Sequence, residues 1–119
     1  MTAGPAMNRL HPQVKICGLT RPHEAAHCVR LGADAIGVVF YSKSPRHVTA
    51  DQAREVVGAL PETAAAVGVF VDATFSYIMA RVERCGLSMV QLHGRESARL
   101  AARLKAEGVG VIKALFVDG

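Results

Sequence analysis

A cysteine closes a short apolar run, Val14-Lys15-Ile16-Cys17, and the chain turns through Gly18-Leu19-Thr20 into a helix-forming stretch. A thiol can act as nucleophile or base, yet with an ordinary pKa of about 8.5 it is only a few per cent ionised at neutral pH. It needs help from its surroundings. The two-residue period of a strand puts Lys15 on the same face as Cys17, a candidate source of positive potential. Further polar residues recur just past later apolar runs: Lys43 and Arg46 after the second, Asp72 after the third, Gln91 and His93 closing the fourth. The planar guanidinium of Arg46 suits a carboxylate gripped by two parallel bonds, which a lysine cannot match. Gln91 and His93 share one strand face, with His93 at the outer end, and suit either substrate contact or structural hydrogen bonding. Asp72 suits ligand contact or, the favoured reading, the cap of the following helix; Lys43 is read as a surface charge, and Lys113 as an inward-pointing partner for a carboxylate.

A competing motif lies in the first helical stretch, where His23-Glu24-Ala25-Ala26-His27 formally matches the HExxH zinc helix. Pro22 puts His23 in the opening turn, and His23, His27 and Arg30 form a polar stripe opposite Ala26 and Val29. No third ligand stands out downstream, and catalytic zinc generally has three protein ligands. The stripe is read as a solvated outer helix face, and no metal site is expected.

Composition sets the remaining bounds. Half of the 119 residues are hydrophobic and a fifth are charged, as in an ordinary globular domain. The net charge of +4 is scattered: Arg54, Arg81, Arg84, Arg99 and Arg103 fall on separate predicted helices, mixed with Glu55, Glu83, Glu96 and Glu107. A nucleic-acid site needs a concentrated basic face, commonly with stacking aromatics, and this chain has no tryptophan. No apolar stretch approaches the roughly 20 residues that span a bilayer. No signal-peptide centre is found near the start, and Cys17, Cys28 and Cys85 are too unevenly spaced for a disulfide framework. A cytoplasmic protein with reduced thiols is expected, without nucleic-acid or membrane partners. Residues 1–12 read as an amino-terminal tail and 13–119 as one domain.

These residues must be positioned by regular elements, and the elements alternate. Short β-branched runs over 13–17, 34–40, 65–71, 88–92 and 109–115 are separated by helix-length segments over 21–31, 50–60, 74–85 and 95–107. Thr20 and Pro22 mark the first helix start, and Thr49 with Gln52 has capping-box spacing. Gly32, Gly86 and Gly108 stand where helices end in a left-handed residue. Strand-helix-strand repeats imply parallel strands with right-handed crossovers. Two architectures fit, an open doubly wound sheet and the first part of a (β/α)8 barrel. Glycine-rich phosphate fingerprints are missing, and polar residues follow several successive strands rather than one switch point. That favours the barrel, here its first five strands and four helices.

Six blocks now carry a resemblance: Val14-Lys-Ile-Cys-Gly-Leu-Thr20, Gly32-Ala-Asp-Ala-Ile-Gly-Val-Val-Phe-Tyr41, Ser42-Lys-Ser-Pro-Arg46, Val67-Gly-Val-Phe-Val71, Val90-Gln-Leu-His-Gly94 and Val111-Ile-Lys-Ala114. In this order and spacing the chain resembles the phosphoribosylanthranilate isomerases of tryptophan biosynthesis. The resemblance implies an Amadori rearrangement of N-(5-phosphoribosyl)anthranilate to 1-(2-carboxyphenylamino)-1-deoxyribulose 5-phosphate, without metal or organic cofactor. It implies that Cys17 is the general base and that Arg46 holds the anthranilate carboxylate, with Gln91 and His93 as candidate substrate contacts.

The general-acid aspartate of that family belongs near the end of a sixth strand, and its phosphate site follows the seventh and eighth. Neither has a counterpart here, and Asp118 is not assigned the acid role. Closing a barrel takes at least about 200 residues. The chain is therefore expected to be part of a longer isomerase, with open strand edges that pair with further chain or with a complementary partner. The alternative is a half-barrel that binds ligand without turnover.

Overall fold

The computed structural model describes residues 13–115, so the expected tail over residues 1–12, and Asp118, lie outside the described residues. Five strands alternate with four helices: β1 (Lys15–Cys17), α1 (Pro22–Arg30), β2 (Ala35–Val39), α2 (Ala50–Gly58), β3 (Ala65–Phe70), α3 (Phe75–Cys85), β4 (Met89–Leu92), α4 (Ala98–Ala106) and β5 (Gly110–Lys113). All neighbours pair in parallel, in the order β1-β2-β3-β4-β5. A doubly wound sheet would reverse its order at a switch point. Sequential order keeps every crossover on one side and describes part of a barrel wall, as the alternation led us to expect.

The burial pattern says the same. One core lies between sheet and helices and joins Ile36, Val38, Phe40, Ala66, Phe70, Val90 and Leu92 to Ala25, Ala53, Val56, Ile78 and Leu104 of the four helices. A smaller cluster on the other face contains Ala35, Ala65 and Val67, with Met89 and Ile112 packed on it and no helical residue. Strands β2 and β3 are buried throughout, whereas β1 and β5 at the edges are only partly covered. Phe40 stacks on Phe70 with ring centroids 5.1 Å apart, and Tyr77 meets Phe70 edge-on. These rings close the helix-side core beneath the carboxyl ends of β2 and β3.

Local signals explain most of the boundaries. The Thr49 hydroxyl accepts the Gln52 N–H while Gln52 Oε1 accepts the Thr49 N–H, a complete capping box for α2. Gly86 ends α3 at φ 72°, and Gly32 and Gly108 take positive φ just past α1 and α4. Three expectations are corrected. Arg21, not Thr20, occupies the cap position of α1 and makes no side-chain cap bond, so Pro22 is the operative start signal. Thr74, not Asp72, caps α3, its hydroxyl accepting the Tyr77 N–H. Helix α4 begins at Ala98 behind Ser97, whose hydroxyl accepts the Leu100 N–H, so Glu96 lies in a loop and not on a solvated helix face.

Candidate active site

The site starts from a missing side chain. Cys17 lies opposite Gly37 in the β1–β2 register, and a Cβ on Gly37 would fall 2.9 Å from Cys17 Sγ. The thiol occupies the slot that glycine leaves open. Ile16 packs into the helix-side core, so strand alternation puts Lys15 and Cys17 on the opposite face. Lys15 pairs with Ala35 of the inner cluster, which agrees with the shared face read from the sequence. Cys17 is exposed, while Cys85 is buried and its Sγ donates to the Ala50 carbonyl at 3.4 Å. Burial pushes the Cys85 thiol above its ordinary pKa, against the pull of Arg84, Arg81 and Arg54. Of the three thiols, Cys17 is exposed, Cys28 half-buried and Cys85 buried. Gly37→Ala should lower turnover about 10- to 100-fold by shifting Sγ while the thiol is retained, as steady-state kinetics beside a thiol titration will show.

Arg46 is brought to Cys17 by the loop after β2. The Ser44 N–H bonds the Tyr41 carbonyl, the Arg46 N–H bonds Ser44 Oγ, and the Val48 N–H returns to Val39 at 3.0 Å. Val48 is buried and anchors the fold-back, and His47 makes a parallel bridge to Val39. Arg46 Nη1 then donates to the Gly18 carbonyl at 3.3 Å. Gly18 sits at φ 86°, and a Cβ there would lie 3.3 Å from Arg46 Cγ. Only glycine accepts that backbone and that approach together. The residue after the thiol is therefore the seat of the guanidinium. Lys43 in the same loop is exposed.

Glu96, which the sequence reading placed among the surface charges, is an organising group of the mouth. Only 1 % of its side chain is exposed. It accepts N–H bonds from Asp72 at 2.8 Å and Gly94 at 2.9 Å, and pairs with Lys113 Nζ at 3.0 Å. Lys113 does find a carboxylate, as expected, but it does not point inward. Val111 packs on the helix-side core and Ile112 on the inner cluster, so alternation returns Lys113 to the helix side. Burial alone would raise the Glu96 pKa. The bonds from Asp72 N–H, Lys113, its own N–H and Gly94 N–H outweigh that and hold the carboxyl below its ordinary 4.5. A depressed folded-state pKa stabilises fully above the ordinary value and loses that contribution as pH falls through the lowered one. The stability gap between wild type and Glu96→Gln should be widest near neutral pH and narrow as pH falls through the lowered carboxyl pKa, as denaturation midpoints across acid pH will show.

Gln91 and His93 stand across the arc from Cys17. Gln91 is opposite Val69 and Ile112, one pleat nearer the mouth than the row holding Cys17 and Gly37. Three strand spacings, roughly 14 Å along the sheet, separate β1 from β4. The Gln91 Oε1 is buried without a hydrogen-bond partner among the described residues. His93 is exposed, and its N–H bonds the Phe70 carbonyl at 2.9 Å, extending the ladder past β4. The structure brings Cys17 and Arg46 together and leaves Gln91 and His93 on the far wall, a span suited to an elongated ligand. On α1, His23 and His27 are exposed, and no cluster of three His, Cys, Asp or Glu side chains gathers among the described residues.

Comparison with known proteins settles the family. Residues 14–119 match the family model of N-(5'-phosphoribosyl)anthranilate (PRA) isomerase. The chain belongs to the PRA isomerase family. Among curated relatives, the PRA isomerase of Desulfatibacillum aliphaticivorans is 56% identical over 109 residues, covering 92% of this chain and 50% of that protein. The PRA isomerase of Geotalea uraniireducens is 44% identical over 105 residues, covering 88% and 50%. Among solved structures, a PRA isomerase in complex with reduced 1-(o-carboxyphenylamino)-1-deoxyribulose 5-phosphate superposes with a TM-score of 0.87 at 40% identity, covering 92% of this chain and 56% of that one. The Thermotoga maritima PRA isomerase gives 0.86 at 41% identity, covering 90% and 52%. The chain spans about half the length of the curated PRA isomerases it matches.

Proposed function

We propose that the protein isomerises N-(5'-phosphoribosyl)anthranilate to 1-(2-carboxyphenylamino)-1-deoxyribulose 5-phosphate, with Cys17 as general base and Arg46 as carboxylate anchor. The observation that carries this reading is the Cys17-Gly18-Arg46 seat, which presents a thiol and a guanidinium together at the carboxyl ends of β1 and β2 in a PRA isomerase family chain. In the reaction an acid protonates the furanose ring oxygen, the C1–O bond breaks, and the anthranilate nitrogen lone pair closes a C1=N bond. The Cys17 thiolate takes the proton from C2, and the C2–H electron pair forms the C1=C2 bond of an enaminol while the C1=N π pair returns to nitrogen. Protonation of C1 with loss of the C2 hydroxyl proton then yields the amino-ketose. Arg46 holds the ring carboxylate by two parallel bonds and so fixes C2 over the thiol. Gln91 and His93 contact the substrate from the far wall.

The proton-donating acid and the phosphate cradle come from strands that pair with the edges left by β1 and β5. Such strands belong to the same polypeptide or to a complementary chain. A second copy of this sheet would supply ten strands in place of eight, so self-pairing does not close the usual barrel. No helix among the described residues is long and apolar enough to cross a membrane, and a cytoplasmic location suits an exposed working thiol. Turnover of N-(5'-phosphoribosyl)anthranilate by the natively expressed protein tests the reading, with the ketose product expected and activity retained after exhaustive chelation. Ligand binding without product would support the non-catalytic half-barrel instead.

A further inference from the structure

Glu96 takes no part in the proton transfers, yet its carboxylate meets the ends of three strands. Oε2 accepts the Asp72 N–H from the loop after β3, Oε1 accepts the Gly94 N–H after β4, and Oε1 also receives Lys113 Nζ from the end of β5. The closure is reciprocal. Asp72 Oδ1 accepts the Arg95 N–H at 2.7 Å, and Lys113 Nζ donates to the Gly94 carbonyl. Asp72 holds φ 51°, the one non-glycine residue with positive φ among those described. Such backbone persists where its surroundings over-determine it. A Cβ on Gly94 would lie 2.5 Å from Asp72 Oδ1 and 3.0 Å from Asp72 N, so the two loops close without a gap.

We propose that Glu96 is a positioning residue: it binds the carboxyl ends of β3, β4 and β5 into one rigid rim, and His93, next to Gly94, takes its place at the mouth from that rim. The purpose of the rim rests on the isomerase reading; the tie itself rests on the contacts. A lesser role would be to neutralise Lys113 and nothing more, and the two roles part under substitution.

Glu96→Gln, Lys113→Met and the double variant would be compared in the natively expressed protein, at a temperature where circular dichroism shows each folded. Glu96→Gln should lower kcat/KM about 10- to 100-fold, chiefly through KM. Lys113→Met should cost less, and the double variant should stay as low as Glu96→Gln. Amide exchange at Asp72 and Gly94 should quicken in Glu96→Gln while Val38 in β2 keeps its protection. If Glu96→Gln does not fold, Gly94→Ala disturbs the same rim with the carboxylate in place and should give the same KM-weighted loss. Wild-type kinetics in Glu96→Gln, or recovery in the double variant, would overturn the positioning role. Unchanged exchange at both amides would overturn the tie. An inactive wild type would sink the isomerase reading, and the exchange data would still decide whether Glu96 holds the rim.

Discussion

Cys17→Ala should lower kcat/KM for the isomerisation by about 10²–10⁴, the range for removing a positioned acid or base, with the fold intact. In the proposed reaction Cys17 is the acceptor of the C2 proton, and its Sγ occupies the slot that Gly37 leaves open. Because Cys17 is exposed, its truncation opens no core cavity, and stability should stay within about 0.5 kcal/mol of wild type. Cys85→Ala provides the opposite control. It removes a buried side chain that donates to the Ala50 carbonyl, so it should lower the unfolding midpoint and leave turnover close to wild type. Steady-state kinetics and thermal denaturation of the two variants, run together, separate a thiol that does chemistry from one that packs.

Arg46→Lys should raise KM for the substrate about 10- to 100-fold, the worth of one strong charge-assisted bond, with a smaller change in kcat. Lysine keeps the charge but presents a single point donor, so one of the two parallel carboxylate bonds is lost. It also cannot keep the guanidinium contact with the Gly18 carbonyl from which Arg46 is aimed. Arg46→Ala should be worse than Arg46→Lys, and a substrate analogue without the ring carboxylate should erase the difference between wild type and both variants. Equal KM values for wild type and Arg46→Ala would remove the carboxylate anchor from the account.

Much of this was legible in the chain because barrel folds write their elements locally. β-Branched runs and capping residues located all nine elements to within a few residues at each end, as in the Thr49–Gln52 box and the Gly86 terminus. The placing of Cys17 and Arg46 near one another, past the carboxyl ends of β1 and β2, follows from one rule, that polar residues just past strands meet at the mouth. What failed was long-range or rested on a boundary. Glu96 passed for a surface charge because its helix was begun at residue 95; Ser97, a good cap residue, was the signal that the helix starts later and that Glu96 precedes it. Asp72 reads as a cap because it precedes a helix by a few residues, a place that Thr74 fills better. The role of Gly37 depends on the register between β1 and β2, which no local pattern reports. The face of Lys113 is not legible because Val111 and Ile112 are both apolar and fall on opposite faces, so alternation does not reveal which set meets the helices.

Protection of Cys17 from alkylation decides whether this thiol is the base. The natively expressed protein would be treated with iodoacetamide, with and without the ketose product, while turnover and the modified cysteines are followed together. Activity should fall in step with modification of Cys17, Cys85 should react far more slowly, and product should slow both the loss and the labelling. Full modification of Cys17 with turnover unchanged would rule out Cys17 as the base.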